Sequence, residues 1–170
     1  MKAHNSREAA FIALHAQYYA MVRQLCRGFM KGDAELAQDL AQEVFLNIWE
    51  ALPTFKGAAS PKTWIYRITT NTCLLYLRTS KRQRALPLTT APYPVSPDAP
   101  EPDADDHARL YYAIGQLAEV DRVLIMLVLE ELAYEEIAHI TGISSTHLRV
   151  KIHRIKKRMK HLLTHAPHHG

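Results

Sequence analysis

Only two of the 170 residues are cysteine, Cys26 and Cys73, and neither CxxC nor a Cys/His ligand spacing occurs, so a disulfide framework or zinc site has no support. Each sits in a helical pattern and reads as a buried, reduced thiol. No apolar run approaches the roughly 18 residues that cross a bilayer. The opening MKAHNSREAA also lacks the apolar centre of a signal peptide. These absences predict no membrane insertion and a cytoplasmic location. A phosphate-cradling glycine loop, paired carboxylates at a pocket and a metal-ligand cluster are missing too, so the sequence is not read as an enzyme and no cofactor is expected. His161 and His165 stand four apart with His168 and His169 beyond them, but no carboxylate or cysteine accompanies them and no metal is assigned.

Lysine and arginine are absent from residues 86–107, which hold six of the nine prolines and five acids. Proline removes backbone donors and like charges repel, so this stretch reads as an extended, flexible Pro/Asp-rich linker. It separates residues 1–85, net +6, from residues 108–170, net +3. The expected fold is all-α: two small helical domains, 1–85 and 108–170, joined by the 86–107 linker, with 48% hydrophobic content supplying two modest cores. Two basic blocks around an acidic spacer suggest two places that meet a polyanion.

In the first block, Phe11, Leu14, Tyr18, Met21, Val22 and Leu25 repeat at helical spacing until Lys31-Gly32 ends the run. Asp33 caps a second helix reaching about Ala51, with Leu36, Leu40, Val44, Phe45 and Ile48 on its core side. Asp39, Gln42, Glu43, Leu46, Asn47 and Glu50 share another face, an acidic strip with a leucine in its middle. It fits a solvated surface or a protein-docking face whose acids select a basic partner. Ser60 and Pro61 stand in the order of cap and first helical residue, opening a third helix. Ile65, Ile68, Thr69, Thr72 and Tyr76 take its buried side, while Trp64, Asn71, Leu75, Arg78 and Arg82 form a flank. Aromatic, amide and basic groups together suit single-stranded DNA; the competing reading makes Trp64 core and the last basic residues partners of the helix dipole.

In the second block, Leu110, Ile114 and Leu117 mark one short helix and Asp121 is read as the cap of the next, which contains Val123, Leu124, Leu127 and Val128. Residues 133–159, AYEEIAHITGISSTHLRVKIHRIKKRM, then have helix-turn-helix spacing. Gly142 suits a turn at positive φ, and Ser144 or Ser145 can cap the second helix. Leu148, Ile152, Ile155, Met159 and Leu162 face a core, leaving the opposite side basic, of a width that fits a major groove.

The segments DLAQEVFLNIWE, TWIYRITTNTCLLYLR and YEEIAHITGISSTHLRVKIHRIKKR, in this order, resemble the extracytoplasmic-function (ECF) group of the sigma-70 family of RNA polymerase sigma factors. The resemblance spans residues 10–85 and 108–163. It implies a non-catalytic sigma factor that binds core RNA polymerase, reads −10 and −35 promoter DNA, and has an anti-sigma factor as a further partner. It assigns Asp39, Gln42, Glu43, Leu46 and Asn47 to the polymerase interface. It assigns Phe55–Thr63 to a loop holding a flipped base, and Lys62, Trp64, Asn71, Arg78, Lys81 and Arg82 to the −10 element. It places Arg149, His153 and Arg154 at the −35 element, to which the exposed face of the same helix adds Thr146, His147, Lys151 and Arg158 as expected contacts. The alternative function is a helix-turn-helix transcription regulator that is not a polymerase subunit. Departures from the family pattern are Leu75 in place of an aspartate, Ala133 in place of a Ser/Thr cap and Thr146 in place of a glycine. They unsettle the promoter sequence more than the fold.

Overall fold

A computed structural model describes residues 2–84 and 104–164, the side chains of 2–5, 81–84 and 104–105 excepted. Seven helices and a short 3-10 turn, Leu52–Thr54, make up the described chain, with no strand among the described residues. The stretch 86–103 and His165, His168 and His169 lie outside them.

Helices α1 (Lys2–Phe29), α2 (Ala34–Ala51) and α3 (Pro61–Arg84) form the first unit. Helix α1 ends as the sequence predicts: Lys31 and Gly32 take positive φ, and the Gly32 amide returns to the Arg27 carbonyl. Asp33 then accepts from the Leu36 amide at 3.0 Å, satisfying one of the donors that a helix start leaves open. Ser60 does the same for the Thr63 amide at 3.1 Å, immediately before Pro61. Cys26 and Cys73, fully buried, bring their sulfurs within 4.0 Å across α1 and α3 as free thiols. Burial and the neighbouring Cys26 push the Cys73 thiol well above its ordinary pKa.

Helices α4 (Ala104–Gly115), α5 (Glu119–Leu129), α6 (Tyr134–Thr141) and α7 (Ser145–Thr164) form the second unit. Helix α4 starts inside the stretch read as linker, so its last four residues, 104–107, are helical. Asp121 is not the cap of α5: Ala118 holds that position, and Asp121 lies in the first turn. Gly142 closes α6 at φ 74°, in the left-handed region. Ala133 offers no capping side chain, yet Glu136 reaches back to accept from the Ala133 amide at 3.2 Å, supplying half of a capping box. Leu148, Ile152, Ile155 and Met159 are buried as their spacing predicts, each contributing about 1.5–3 kcal/mol of burial.

The two units share one continuous core. Helix α3 is therefore buried on two sides, and Tyr66, Thr70 and Cys73 join the inner residues its periodicity picks out. Tyr66 donates to the Glu130 carboxylate at 3.1 Å, and Arg67 donates to the His139 carbonyl at 2.8 Å. Burial and the Glu130 carboxylate raise the Tyr66 pKa, so the phenol stays protonated as the donor. Arg122, 7% exposed, donates to the carbonyls of Leu117 and Phe29. The latter is the last residue of α1, so the guanidinium satisfies one of the carbonyls a helix end leaves without a partner. Burial lowers the Arg122 pKa. Close approach of α1 and α5 depends on Gly28, where a Cβ would lie 2.1 Å from the Met126 sulfur.

Candidate docking and nucleic-acid faces

Asp39, Gln42, Glu43, Leu46 and Glu50 emerge together on the outer side of α2. Leu46 is 65% exposed although its own helix has a full apolar side, so this is an apolar point set among acids. Asn47 is half-buried and donates to the Thr72 hydroxyl at 3.0 Å, tying the strip to α3. Since Thr72 in turn donates to the Ile68 carbonyl, Asn47 is held in place by an ordered acceptor. It serves the α2–α3 junction whatever else it meets.

On α3, Asn71, Leu75 and Arg78 form an exposed line. Trp64, two turns before Asn71, is half-buried against Phe55, with ring centroids 4.6 Å apart. Phe55 begins the loop that leads to Ser60, so the indole links the loop to the exposed line. This combines the two readings of Trp64: one part packs and another borders a basic, amide-bearing surface. Lys62 lies over the Tyr66 ring, 5.8 Å from its centroid. Leu75 is 60% exposed, which leaves an apolar gap between Asn71 and Arg78. The side chains of Lys81 and Arg82 lie outside the described residues.

Helix α7 projects Thr146, His147, Arg149, His153, Arg154 and Arg158 into solvent from the side opposite its buried row. Four of its cations have partners on neighbouring segments, Lys156 lying over the Tyr134 ring of α6, 6.0 Å from its centroid. Arg149 lies 3.6 Å from Glu135 in the first turn of α6. Arg158 donates to the Gln116 carbonyl at 3.4 Å. Lys151 meets Asp121 at 2.7 Å. A groove of about 320 Å³ runs beside α7, with Asp121 the one acid against His147, Lys151, Arg154 and Arg158. Sequence reasoning missed the roles of Asp121, Glu135 and Arg122; a lone arginine within the apolar VDRVLIMLVL was the available signal for the last. The described residues contain no group of three or more metal-ligating side chains placed to hold an ion. No helix among them is long and apolar enough to cross a membrane.

Residues 14–83 match the family described as Sigma-70 region 2, and residues 107–159 match Sigma-70, region 4. The RNA polymerase sigma-H factor of Pseudomonas aeruginosa is 30% identical over 171 residues, covering 87% of this chain and 83% of that protein. RNA polymerase sigma factor YlaC of Bacillus subtilis is 29% identical, covering 76% and 79%. ECF RNA polymerase sigma factor SigG of Mycobacterium tuberculosis is 47% identical over only 58 residues, 34% of this chain and 15% of that protein. Among solved structures, the sigma factor RpoE of Bartonella quintana in complex with the anti-sigma factor NepR superposes with a TM-score of 0.71 at 18% identity, covering 93% and 99%. CnrH in complex with the cytosolic domain of CnrY gives 0.68 at 22%, covering 94% and 91%. At these identities the two structures establish the shared fold.

Proposed function

Because the chain belongs to the sigma-70 family of RNA polymerase sigma factors, in the ECF group, we propose that it binds core RNA polymerase and directs it to promoters bearing its own −10 and −35 elements. The observation that carries this reading is the order of parts on one chain: region 2 with an exposed acidic strip, then region 4 with an exposed basic recognition helix. In this reading Asp39, Gln42, Glu43 and Leu46 form the polymerase-facing surface, and Asn47 orients it from the side. The acids choose a basic partner surface and Leu46 supplies its desolvated centre. The loop from Phe55 to Thr63, with Lys62, Trp64, Asn71 and Arg78 and the continuing Lys81 and Arg82, meets the −10 element. Rings stack on unpaired bases while cations hold phosphates. Thr146, His147, Arg149, His153, Arg154 and Arg158 meet the −35 duplex from α7.

The chain supplies no catalytic group in this scheme; selectivity is its contribution to the polymerase, which places its action in the cytoplasm. An anti-sigma factor is a further partner, as it is for the Bartonella protein of the same fold. Mixing the purified chain with core polymerase is expected to give a one-to-one complex that transcribes from a subset of a promoter library. Operator binding by a dimer with no effect on polymerase would instead establish the free-standing regulator.

A further inference from the structure

Asp121 stands in an unusual place for an acid. From α5 it lines a groove whose other polar side chains are His147, Lys151, Arg154 and Arg158 of α7, the helix proposed to lie against a polyanion. Its carboxylate is 2.7 Å from the Lys151 ammonium, with side chains 25% and 32% exposed. Exposed ion pairs are readily exchanged for water or phosphate, but partial burial reduces screening and fixes this one more firmly. The Arg149–Glu135 pair is the contrast, longer at 3.6 Å and about two-thirds exposed on both sides. Arg149 can leave its carboxylate for a base edge, whereas Lys151 is held.

We propose that Asp121 is a specificity-determining residue for promoter recognition: by holding Lys151, it withholds one cation of the recognition helix from sequence-independent phosphate binding. The inference rests on the sigma-factor reading above. Phosphate contacts raise affinity for every duplex alike, while base contacts separate one sequence from another. A phosphate contact made equally on every duplex cancels from the ratio of two affinities, so Lys151 affects specificity only where it would reach phosphate in one complex and not in the other. The acid places a negative charge where a phosphate would approach Lys151 in out-of-register complexes, an unfavourable element that acts on the wrong sites and spares the right one.

The test compares wild-type, Asp121→Asn and Lys151→Gln chains, each assembled with core polymerase, on a library-selected promoter and on the same fragment with a scrambled −35 element. Apparent affinity is measured across a fourfold range of salt. On the scrambled fragment, freeing Lys151 adds one phosphate contact, so the Asp121→Asn complex is expected to lose about 3.5-fold more affinity for it than wild type over that range. At low salt it is expected to bind that fragment more tightly while its promoter affinity stays near wild type, lowering the promoter-to-scrambled ratio. Lys151→Gln is expected to keep the wild-type salt dependence, because its ammonium was already engaged. A weaker salt dependence in Lys151→Gln would show the lysine on phosphate despite Asp121 and overturn the proposal. A lower melting temperature in Asp121→Asn with unchanged salt dependence would reduce the pair to a strut between α5 and α7, and overturn it equally. If wild-type holoenzyme itself does not distinguish the two fragments, the −35 reading fails and the proposal falls with it.

Discussion

Arg149 meets Glu135 at 3.6 Å with both side chains largely in solvent, so its guanidinium is oriented without being committed. Its planar fork suits the O6 and N7 acceptors of guanine, and it lies one turn before His153 on the exposed side of α7. Arg149→Ala is therefore expected to cost about 1–3 kcal/mol at a single base-pair position and to relax preference there. Holoenzyme binding across single-base variants of the −35 element measures this, and an equal loss on every variant would make Arg149 a backbone contact. Asn47 presents the opposite case, since its amide is already spent on Thr72. Asn47→Ala should cost about 1 kcal/mol of stability through the lost α2–α3 hydrogen bond. Thermal melting separates that loss from any change in polymerase affinity.

Helix α2 buries one side and exposes the other completely enough to be tested as a unit. Asp39→Lys combined with Glu43→Lys reverses charge on two exposed positions. Polymerase affinity should fall while circular dichroism and melting stay near wild type; equal affinity would remove this face from the interface. The turn between α6 and α7 is tested through Gly142, at φ 74° with nothing within 4 Å of an added Cβ. Gly142→Ala should cost about 1–2 kcal/mol from backbone conformation alone, read as a lower denaturation midpoint. Such elements were legible in the sequence because their causes are local: Asp33, Ser60-Pro61 and Gly142 act within four residues of themselves. The acidic strip and the basic side of α7 were legible for a similar reason, since helical periodicity fixes which residues share a face. Asp121 was misread as a cap because its partner, Lys151, lies thirty positions later and carries no local signal. The second buried side of α3 escaped for the same reason, because α5 and α6 cover it from beyond the proline-rich stretch.

At the scale of the molecule, polar links between the two units among the described residues include Tyr66 to Glu130, Arg67 to His139 and Arg122 to Phe29, with Arg27 over the Tyr111 ring. Arg122→Met keeps the apolar stem and drops both carbonyl bonds, each of a charge-assisted kind. It is expected to lower stability by about 2 kcal/mol and to loosen the contact, seen as a larger radius of gyration in solution scattering. An unchanged radius would leave the apolar contacts between α1 and α5 as sufficient. The paired thiols of α1 and α3 offer a way to watch that contact. Both native cysteines are fully buried, and Cys73 resists ionisation, so a maleimide dye meets no accessible thiolate in the folded chain. Cysteines introduced at Ile12 and Tyr112, both exposed and outside the faces assigned to polymerase and DNA, would then be the sites that react, with the native pair left in place. A donor and acceptor at these positions would make the chain its own optical ruler, reporting how far the first and second units move apart as polymerase is added.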